Sequence, residues 1–189
     1  MSTAGSGALK FPSLGPAATV PDIMRLSPEA GRPLFELHEP VMRGPSRLTP
    51  GQRELIATYV SGLNGCHYCY GVHVETTKAY AEMDPAAVDR LMVDTDFAGF
   101  DARLRPILRY ARKLTLSPLT VTADDAAAVY AEGWDEQTLH DAILVICLFN
   151  FMNRLLEGHG VHGDEQLYKS RGPMLKEHGY LPLIRKLRS

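Results

Sequence analysis

Two cysteines three residues apart are the side chains of this sequence with the clearest potential for chemistry. Cys66 and Cys69 lie in the run Asn-Gly-Cys-His-Tyr-Cys, and His73 follows four residues after Cys69. On a helix these three side chains share one face, since residues three, four and seven apart are neighbours. Two thiols at a helix N-terminus can form a disulfide, and that terminus stabilises a thiolate. We therefore predict a redox-active pair, with His73 placed to exchange a proton with Cys69.

A carboxylate on the preceding segment belongs to the same hypothesis. Glu54 lies twelve residues before Cys66 and points away from the apolar face of its own predicted helix. Its face carries the small residues Ala57, Thr58 and Ser61, which would let the cysteine helix pack closely. From there the carboxylate could orient His73 or accept a proton.

The elements around the pair have clear start and stop signals. Thr49 is predicted as an N-cap, with Pro50 at the first helical position and Gln52 completing a capping box. Asn64-Gly65 is typical of a helix end. A second helix is predicted from about Cys66 to about Met83.

The remaining segments also favour helices. None alternates with a period of two, so we predict an all-α fold, with helix pairs that indicate an up-down bundle. We expect one helical domain over 21–189, preceded by a flexible arm over 1–20 that is rich in Gly, Ala, Ser and Pro. The other predicted elements are short helices over Pro21–Met42 broken by Pro28, Pro33 and Pro40, a short helix from Asp84-Pro85, an amphipathic helix over Leu104–Thr115 ended by Pro118, a helix from Thr122 broken at Gly133, and a long helix from Asp135 to about Glu157 stopped by Gly158.

The long C-terminal helix is apolar nearly all round over Ile143–Met152, which is typical of a bundle centre or a subunit interface. We predict that Cys147 is a core residue and that His140 is a polar residue on the flank of the helix. His159 and His162 are predicted as surface residues in a following loop, with a weak metal site as the alternative. Three polar residues interrupt the apolar run and either bond across a subunit interface or line the pocket: Asn150, Asn153 and Arg154.

Composition excludes several classes of protein. The 189 residues carry 20 Lys+Arg and 22 Asp+Glu, so the net charge of −2 gives no reason to expect binding to nucleic acid or an anionic membrane. The N-terminus does not have the pattern of a secretory signal, and the apolar stretch Ala142–Met152 is shorter than the ~20 residues that span a bilayer. With 3 cysteines the chain is not a secreted disulfide scaffold. We expect a cytoplasmic protein.

Two other interpretations of the cysteine pair stay open. The first is that the thiols are small buried residues with no chemistry. The second is a metal site whose ligands are Cys66, Cys69, His73 and Glu54, although zinc sites generally show a second paired-ligand motif, which is missing here. A c-type haem is excluded, since it needs His directly after the second Cys and position 70 is Tyr. We expect no metal and no cofactor.

The spacing of Glu54, Cys66, Cys69 and His73 resembles the signature of the AhpD-like alkylhydroperoxidases, within the carboxymuconolactone decarboxylase-like superfamily. The resemblance covers roughly Leu48–Tyr80. It extends more loosely to Trp134–Val161, whose run Phe-Asn-Phe-Met-Asn-Arg resembles the peroxidase-related branch. It implies an all-helical homo-oligomer (dimer, trimer or hexamer).

The same resemblance assigns roles to individual residues. It implies that Cys69 is the peroxidatic thiol, Cys66 the resolving thiol, and Glu54 with His73 a proton relay. In well-studied members a histidine precedes the second cysteine and joins the relay. Here that position is Tyr68, and a neutral tyrosine is a poor proton acceptor at neutral pH. We expect His67 and Tyr68 to line the site.

The implied reaction is a peroxidase cycle. The Cys69 thiolate attacks the peroxide, giving a sulfenic acid and an alcohol, and Cys66 then condenses with it to a disulfide. An external dithiol protein reduces the bridge. Two alternatives remain: a lactone decarboxylase-like enzyme, whose chemistry needs no thiol pair, and a non-enzymatic, redox-sensing helical oligomer.

Overall fold

A computed structural model describes residues 11–15, 18–81, 85–94 and 99–187. In that part of the chain the regular elements are all helices, which confirms the predicted all-α class. The α-helices are α1 (Val20–Arg25), α2 (Pro28–Glu36), α3 (His38–Arg43), α4 (Pro50–Leu63), α5 (His67–Tyr80), α6 (Pro85–Arg90), α7 (Arg105–Leu116), α8 (Ala123–Ala131), α9 (Glu136–His159), α10 (Glu165–His178) and α11 (Leu181–Lys186).

Helix α4 lies at the centre of the domain and is buried on every side over 51–61. Its start is as predicted: Thr49 accepts the Gln52 N–H at 3.1 Å, and the Gln52 side chain accepts the Thr49 N–H at 3.0 Å. It packs against α5, α7 and α9. The cysteine helix α5 therefore packs directly on the most buried helix of the domain.

Helix α5 carries the cysteines and is held between α4 and α10. On one side the small face of α4 allows close packing, and Thr58 bonds Thr77 across it at 3.1 Å. On the other side Gly172 of α10 lies so close that an added Cβ would come within 2.7 Å of the Glu75 backbone. Neither α10 nor α11 is among the helices predicted from the sequence, yet α10 fixes the outer wall of the site.

Helix α9 is the long apolar helix predicted from the sequence, and only one of its faces is buried. Phe149 and Met152 point into the domain, whereas Leu144, Cys147 and Phe151 are exposed on the opposite face. The prediction that Cys147 is a core residue is therefore wrong. Because the helix is apolar nearly all round, its periodicity could not distinguish the inner face from the outer one.

Several predicted boundaries need correction. Gly160, with φ of +70°, ends α9 instead of Gly158, so His159 is helical and only the exposed His162 lies in the loop. Pro33 and Pro40 do not break helices but lie within α2 and α3. Pro40 is in the first turn of its helix, where a backbone N–H is not needed.

The predicted arm over 1–20 and the predicted end of the cysteine helix fall partly outside the described residues. The positions outside are 1–10, 16, 17 and 82–84. Within the described part of the arm, Leu14 is buried and Phe11 stacks on His159 with ring centroids 4.4 Å apart. Helix α5 ends at Tyr80, with Ala81 in the left-handed conformation.

By length and composition, α9 is long and apolar enough to cross a membrane. Half of its most apolar window is buried against the rest of the domain. The core helix of a soluble protein has the same properties, and the packing of α9 against α4 and α7 is of that kind.

Candidate active site

The two cysteines lie side by side where α5 begins. Gly65 has φ of +67° and turns the chain after α4, which makes Cys66 the N-cap of α5 and leaves Cys69 in its first turn. Both are free thiols, with exposed fractions of 0% and 4%. The helix N-terminus stabilises negative charge on either sulfur.

The two thiols titrate as a pair. The Cys69 thiol donates to Cys66 and thereby lowers the pKa of Cys66. The same hydrogen bond, together with burial, raises the pKa of Cys69 well above its usual value, and a contact from the Asn153 side chain opposes that rise. When the pair loses its first proton, the thiolate is therefore centred on Cys66 and accepts a hydrogen bond from the Cys69 thiol.

Glu54 is fully buried behind the cysteine helix and is held by two partners. One carboxylate oxygen, Oε1, accepts from Arg43 Nη2 at 2.6 Å, and the other, Oε2, lies 2.6 Å from His73 Nδ1. Burial alone would raise the pKa of Glu54, but His73 and Arg43 outweigh it and the pKa is lowered. Glu54 is therefore ionised at neutral pH.

The ionised carboxylate fixes the proton on His73. Because a carboxylate only accepts, His73 Nδ1 must donate to Glu54, and in the neutral form of the ring Nε2 is then the acceptor. The ring stands edge-on against Phe149, with centroids 4.4 Å apart and planes at 83°. Its tautomer and its orientation are thus both determined by neighbouring side chains.

A small cavity lies beside Cys69 and His73. It has a volume of about 50 Å³, room for a few water-sized groups. Its wall is mostly apolar and comes from both ends of the chain. The lining residues are Val20, Pro21, Phe35, His38, Tyr68, Cys69, Val72, His73, Phe149, Met152, Leu156, Arg171, Leu175, Tyr180 and Leu183.

Cys66 faces a different space. It lines a surface recess of about 320 Å³ together with Ser61, Gly62, Gly65, His67, Tyr70 and Met92. His67 is exposed there, whereas Tyr68 is buried in the cavity wall. The two residues predicted to line the site therefore lie on opposite sides of the thiol pair. Burial raises the pKa of Tyr68 to about 12, so its hydroxyl stays protonated and can only donate or accept a hydrogen bond.

The three polar residues of α9 form a network within the chain. Asn153 is buried, donates to Ser61 at 3.0 Å and accepts from Asn64 at 2.9 Å. Asn150 accepts from Asn64 at 3.1 Å, and the exposed Arg154 bonds Asn150. Through Asn153 this network reaches the Cys69 thiol.

Sequence reasoning missed Arg43, the cation that neutralises Glu54. Its Nη2 also donates to the Leu175 carbonyl at 3.1 Å, which ties α3 to α10. No spacing in the sequence marks it, because Arg43 and Glu54 meet through the turn between α3 and α4.

The metal alternative has little structural support. Within 11–15, 18–81, 85–94 and 99–187, no group of three or more His, Cys, Asp or Glu could hold a metal ion. Both Glu54 oxygens are engaged by Arg43 and His73. A metal ion bound by Glu54 and His73 would have to displace the hydrogen bonds that Glu54 makes to Arg43 and His73.

Comparison with known proteins places these residues in a family. Residues 28–113, which include Glu54, Cys66, Cys69 and His73, match the model of the carboxymuconolactone decarboxylase family. No curated protein is similar enough to this chain to count as a match.

Solved structures with the same fold extend the comparison. An uncharacterized peroxidase-related protein from Silicibacter sp. TM1040 is 25% identical, with a TM-score of 0.72 over 79% of this chain and 78% of its own. An uncharacterized peroxidase-related protein with an alkylhydroperoxidase AhpD core, from Ralstonia eutropha JMP134, is 22% identical. Its TM-score is 0.74 over 89% of this chain and 98% of its own. The second likeness concerns the fold alone.

Proposed function

By its matched segment and its fold, this chain belongs to the AhpD-like carboxymuconolactone decarboxylase superfamily, and we propose that it is a thiol-dependent peroxidase working through a Cys66–Cys69 disulfide. One observation carries the proposal. Cys69 and His73 line the same small cavity, and the buried Glu54 carboxylate, 2.6 Å from His73 Nδ1, orients the ring so that Nε2 can accept a proton.

The first step is attack by Cys69 on the peroxide. The sulfur forms a bond to the terminal oxygen, the O–O bond breaks, and its electron pair leaves on the other oxygen. That oxygen takes up one proton, and the Cys69 thiol releases one, so the protons of this step balance. The products are Cys69 sulfenic acid and an alcohol, or water when the substrate is hydrogen peroxide.

Cys69 is the attacking residue in this proposal although Cys66 is the more acidic thiol. Cys69 lines the cavity together with His73, whereas Cys66 lines the recess on the other side of the pair. The Cys66 thiolate already accepts a hydrogen bond from the Cys69 thiol, so it can take that proton as Cys69 attacks. His73 Nε2 is the second acceptor. Asn153 supports negative charge on the Cys69 sulfur.

Resolution and reduction follow on the other side of the pair. The Cys66 sulfur attacks the Cys69 sulfenic acid, the S–O bond breaks, and water leaves. An external dithiol protein then attacks the Cys66 sulfur from the recess, and its second thiol completes the exchange to regenerate both thiols.

Glu54 acts as a positioning group in this cycle. Its pKa is lowered and Arg43 is paired with it, so it is a weak proton acceptor. Its effect is to hold the His73 tautomer and to stabilise the ring when that ring becomes protonated.

Assembly and location are part of the proposal. The exposed face of α9, with Leu144, Cys147 and Phe151, is the surface on which we expect a second copy to pack, since Phe151 is 53% exposed on an apolar face. We expect a homo-oligomer (dimer, trimer or hexamer) in the cytoplasm, where a Cys-x-x-Cys pair is more often redox-active than structural. Light scattering on Phe151→Asp is expected to show a smaller species than the wild type.

A decarboxylase activity on a lactone, suggested by the name of the matched family, has less support. That chemistry needs no pair of thiols, and the cavity wall is mostly apolar. The redox-sensing alternative differs in rate, because a sensor oxidises slowly and stoichiometrically, without turnover.

The deciding experiment is peroxide consumption with several dithiol donors. The wild type is expected to turn over hydrogen peroxide or tert-butyl hydroperoxide many times per chain, and Cys69→Ser is expected to have no turnover. A Cys69→Ser protein that consumes peroxide at the wild-type rate would rule out Cys69 as the attacking residue. Oxidation limited to one equivalent, with a change in assembly, would identify a sensor instead.

A further inference from the structure

We propose that His38 and Tyr180 hold the peroxide group in the cavity opposite Cys69, with His38 Nε2 accepting from the hydroperoxide O–H and the Tyr180 hydroxyl donating to the leaving oxygen. This inference rests on the proposed peroxidase function. It assigns the two residues as catalytic residues, since both would touch the substrate.

The Tyr180 hydroxyl is the first observation. Tyr180 is 3% exposed and lines the cavity, and its Oη is buried without a hydrogen-bond partner among the described residues. A buried hydroxyl without a partner destabilises the fold. Its ring is nevertheless held firmly, with the backbone N–H donating to Glu39 at 2.7 Å and the Arg43 guanidinium 5.3 Å from the ring centroid. A ligand in the cavity would supply the missing partner.

The His38 ring is the second observation, and it is independent of the first. His38 is buried and lies 3.1 Å from the Leu34 carbonyl through Nδ1, which must donate because a carbonyl only accepts. The neutral ring then has its lone pair on Nε2, and His38 is one of the residues that line the cavity. Burial lowers the pKa of His38 to about 4, so the ring is neutral at pH 7.

The two groups are close to each other and to the relay. The His38 and Tyr180 ring centroids are 5.1 Å apart, and the Phe149 ring contacts both histidines, at 4.4 Å from His73 and 6.4 Å from His38. The cavity thus presents one acceptor, His38 Nε2, and one donor, the Tyr180 hydroxyl. A hydroperoxide has the complementary pair, an O–H and an oxygen that develops negative charge.

The pair also supplies what position 68 lacks. Position 68 holds a tyrosine in place of the histidine found in the family, whereas His38, from α3, brings to the same cavity an imidazole that can accept a hydrogen bond. Tyr180 comes from the start of α11, beyond the segment 28–113 that matches the family model. The geometry is therefore a property of this chain and not of the matched motif alone.

The step balances as follows. Cys69 forms the S–O bond and the O–O bond breaks, and the leaving oxygen accepts a hydrogen bond from the Tyr180 hydroxyl as its charge develops. The proton that Cys69 has released to His73 or Cys66 is then transferred to this oxygen. No oxidant other than the peroxide takes part.

The test uses Tyr180→Phe, which removes only the hydroxyl, with Tyr59→Phe as the matched control. Tyr59 is as deeply buried but does not line the cavity. Single-turnover oxidation of Cys69 by hydrogen peroxide is expected to slow about 100-fold in Tyr180→Phe and to stay unchanged in Tyr59→Phe. The rate of Cys69 alkylation by iodoacetamide in Tyr180→Phe is expected to stay within about twofold of the wild-type rate, because iodide needs no proton to leave. The melting temperature is expected to stay the same or rise.

Two substitutions test His38. Asn places its amide near the position of Nδ1 and can keep the bond to Leu34, whereas Gln places its amide near Nε2. His38→Asn is expected to slow oxidation about tenfold or more, and His38→Gln is expected to restore part of the rate.

The outcomes separate the two proposals. If the wild type does not reduce peroxide, the proposed function fails and this inference falls with it. If the wild type is active and Tyr180→Phe oxidises at the wild-type rate, only this inference is overturned. An equal loss in peroxide oxidation and iodoacetamide alkylation would also overturn it, because the defect would then be structural.

Discussion

The two sulfurs of the Cys-x-x-Cys face spaces of different character. Cys69 lies on a small, mostly apolar cavity of about 50 Å³, backed by His73 and Glu54. Cys66 lies on a wider surface recess of about 320 Å³ beside the exposed His67. The volume of the cavity suits a small peroxide, and the recess suits a protein reductant. A single redox pair can thus separate its two half-reactions in space.

The largest effect expected from this comparison comes from the cysteines themselves. Cys69→Ser is expected to abolish peroxide turnover, because it removes the thiol that lines the cavity. Cys66→Ser is expected to consume about one equivalent of peroxide and then stop, because the sulfenic acid has no partner. Stopped-flow peroxide consumption distinguishes the two patterns. Cys147→Ser, on the outer face of α9, is the control and is expected to retain wild-type turnover.

A second prediction concerns the charges behind the cavity. Glu54→Gln leaves Arg43 buried without its anion, so we expect a loss of about 3–5 kcal/mol in the free energy of unfolding, measured by urea denaturation. Asp125→Asn is the matched control, since its pair with Lys113 has the same 2.6 Å distance but is more exposed. That substitution is expected to lower the free energy of unfolding far less, because solvent screens the pair. Equal losses would show that burial of the Glu54 pair has no special importance.

A third prediction uses pH to probe the cavity wall. The unfolded His38 ring takes up a proton below its ordinary pKa of 6.5, whereas the folded ring does so only below about 4. Lowering the pH through this window therefore favours the unfolded chain, by up to about 3 kcal/mol. Urea titrations of the wild type and His38→Gln at pH 7 and pH 4.5 measure the difference. A pH dependence that is the same in both proteins would contradict the buried, neutral His38.

The smallest effect is expected in the recess. His67→Ala removes an exposed side chain beside Cys66, so we expect a change of about two- to fivefold in KM for the dithiol protein and none in the rate of Cys69 oxidation. Steady-state kinetics at varied reductant, together with single-turnover oxidation, separates the two quantities. If His67→Ala slowed the oxidation of Cys69 and left KM unchanged, His67 would act on the peroxide side of the pair, which would contradict its place in the recess.

Much of this arrangement is predictable from the sequence, for local reasons. Thr49, Pro50 and Gln52 define the start of α4, and Gly65 with its positive φ sets the position of Cys66. The spacing of four residues indicates the resemblance to the family: Glu54, Cys66, Cys69 and His73. The absence of any segment that alternates with a period of two predicts the all-α class. Each of these signals acts within a few residues of the chain or over two adjacent helices.

The rest depends on contacts that are distant in sequence. Arg43 and His38 come to the site from α3, and Tyr180 comes from the start of α11. These positions depend on tertiary packing, as in the Arg43–Leu175 bond, which spans 132 positions. Cys147 was assigned to the core because a helix that is apolar all round gives no sign of which face is covered. Composition and periodicity do not contain either kind of information.

The assignment of Cys69 as the attacking thiol is the central claim, and the lower pKa of Cys66 makes it open to a direct test. Each single Cys→Ser variant is exposed to one equivalent of hydrogen peroxide with dimedone present, and the adduct is located by peptide mass spectrometry. We expect the adduct on Cys69 in Cys66→Ser and little or none on Cys66 in Cys69→Ser. An adduct on Cys66 in Cys69→Ser, with none on Cys69 in Cys66→Ser, would contradict the assignment and place the peroxide in the recess.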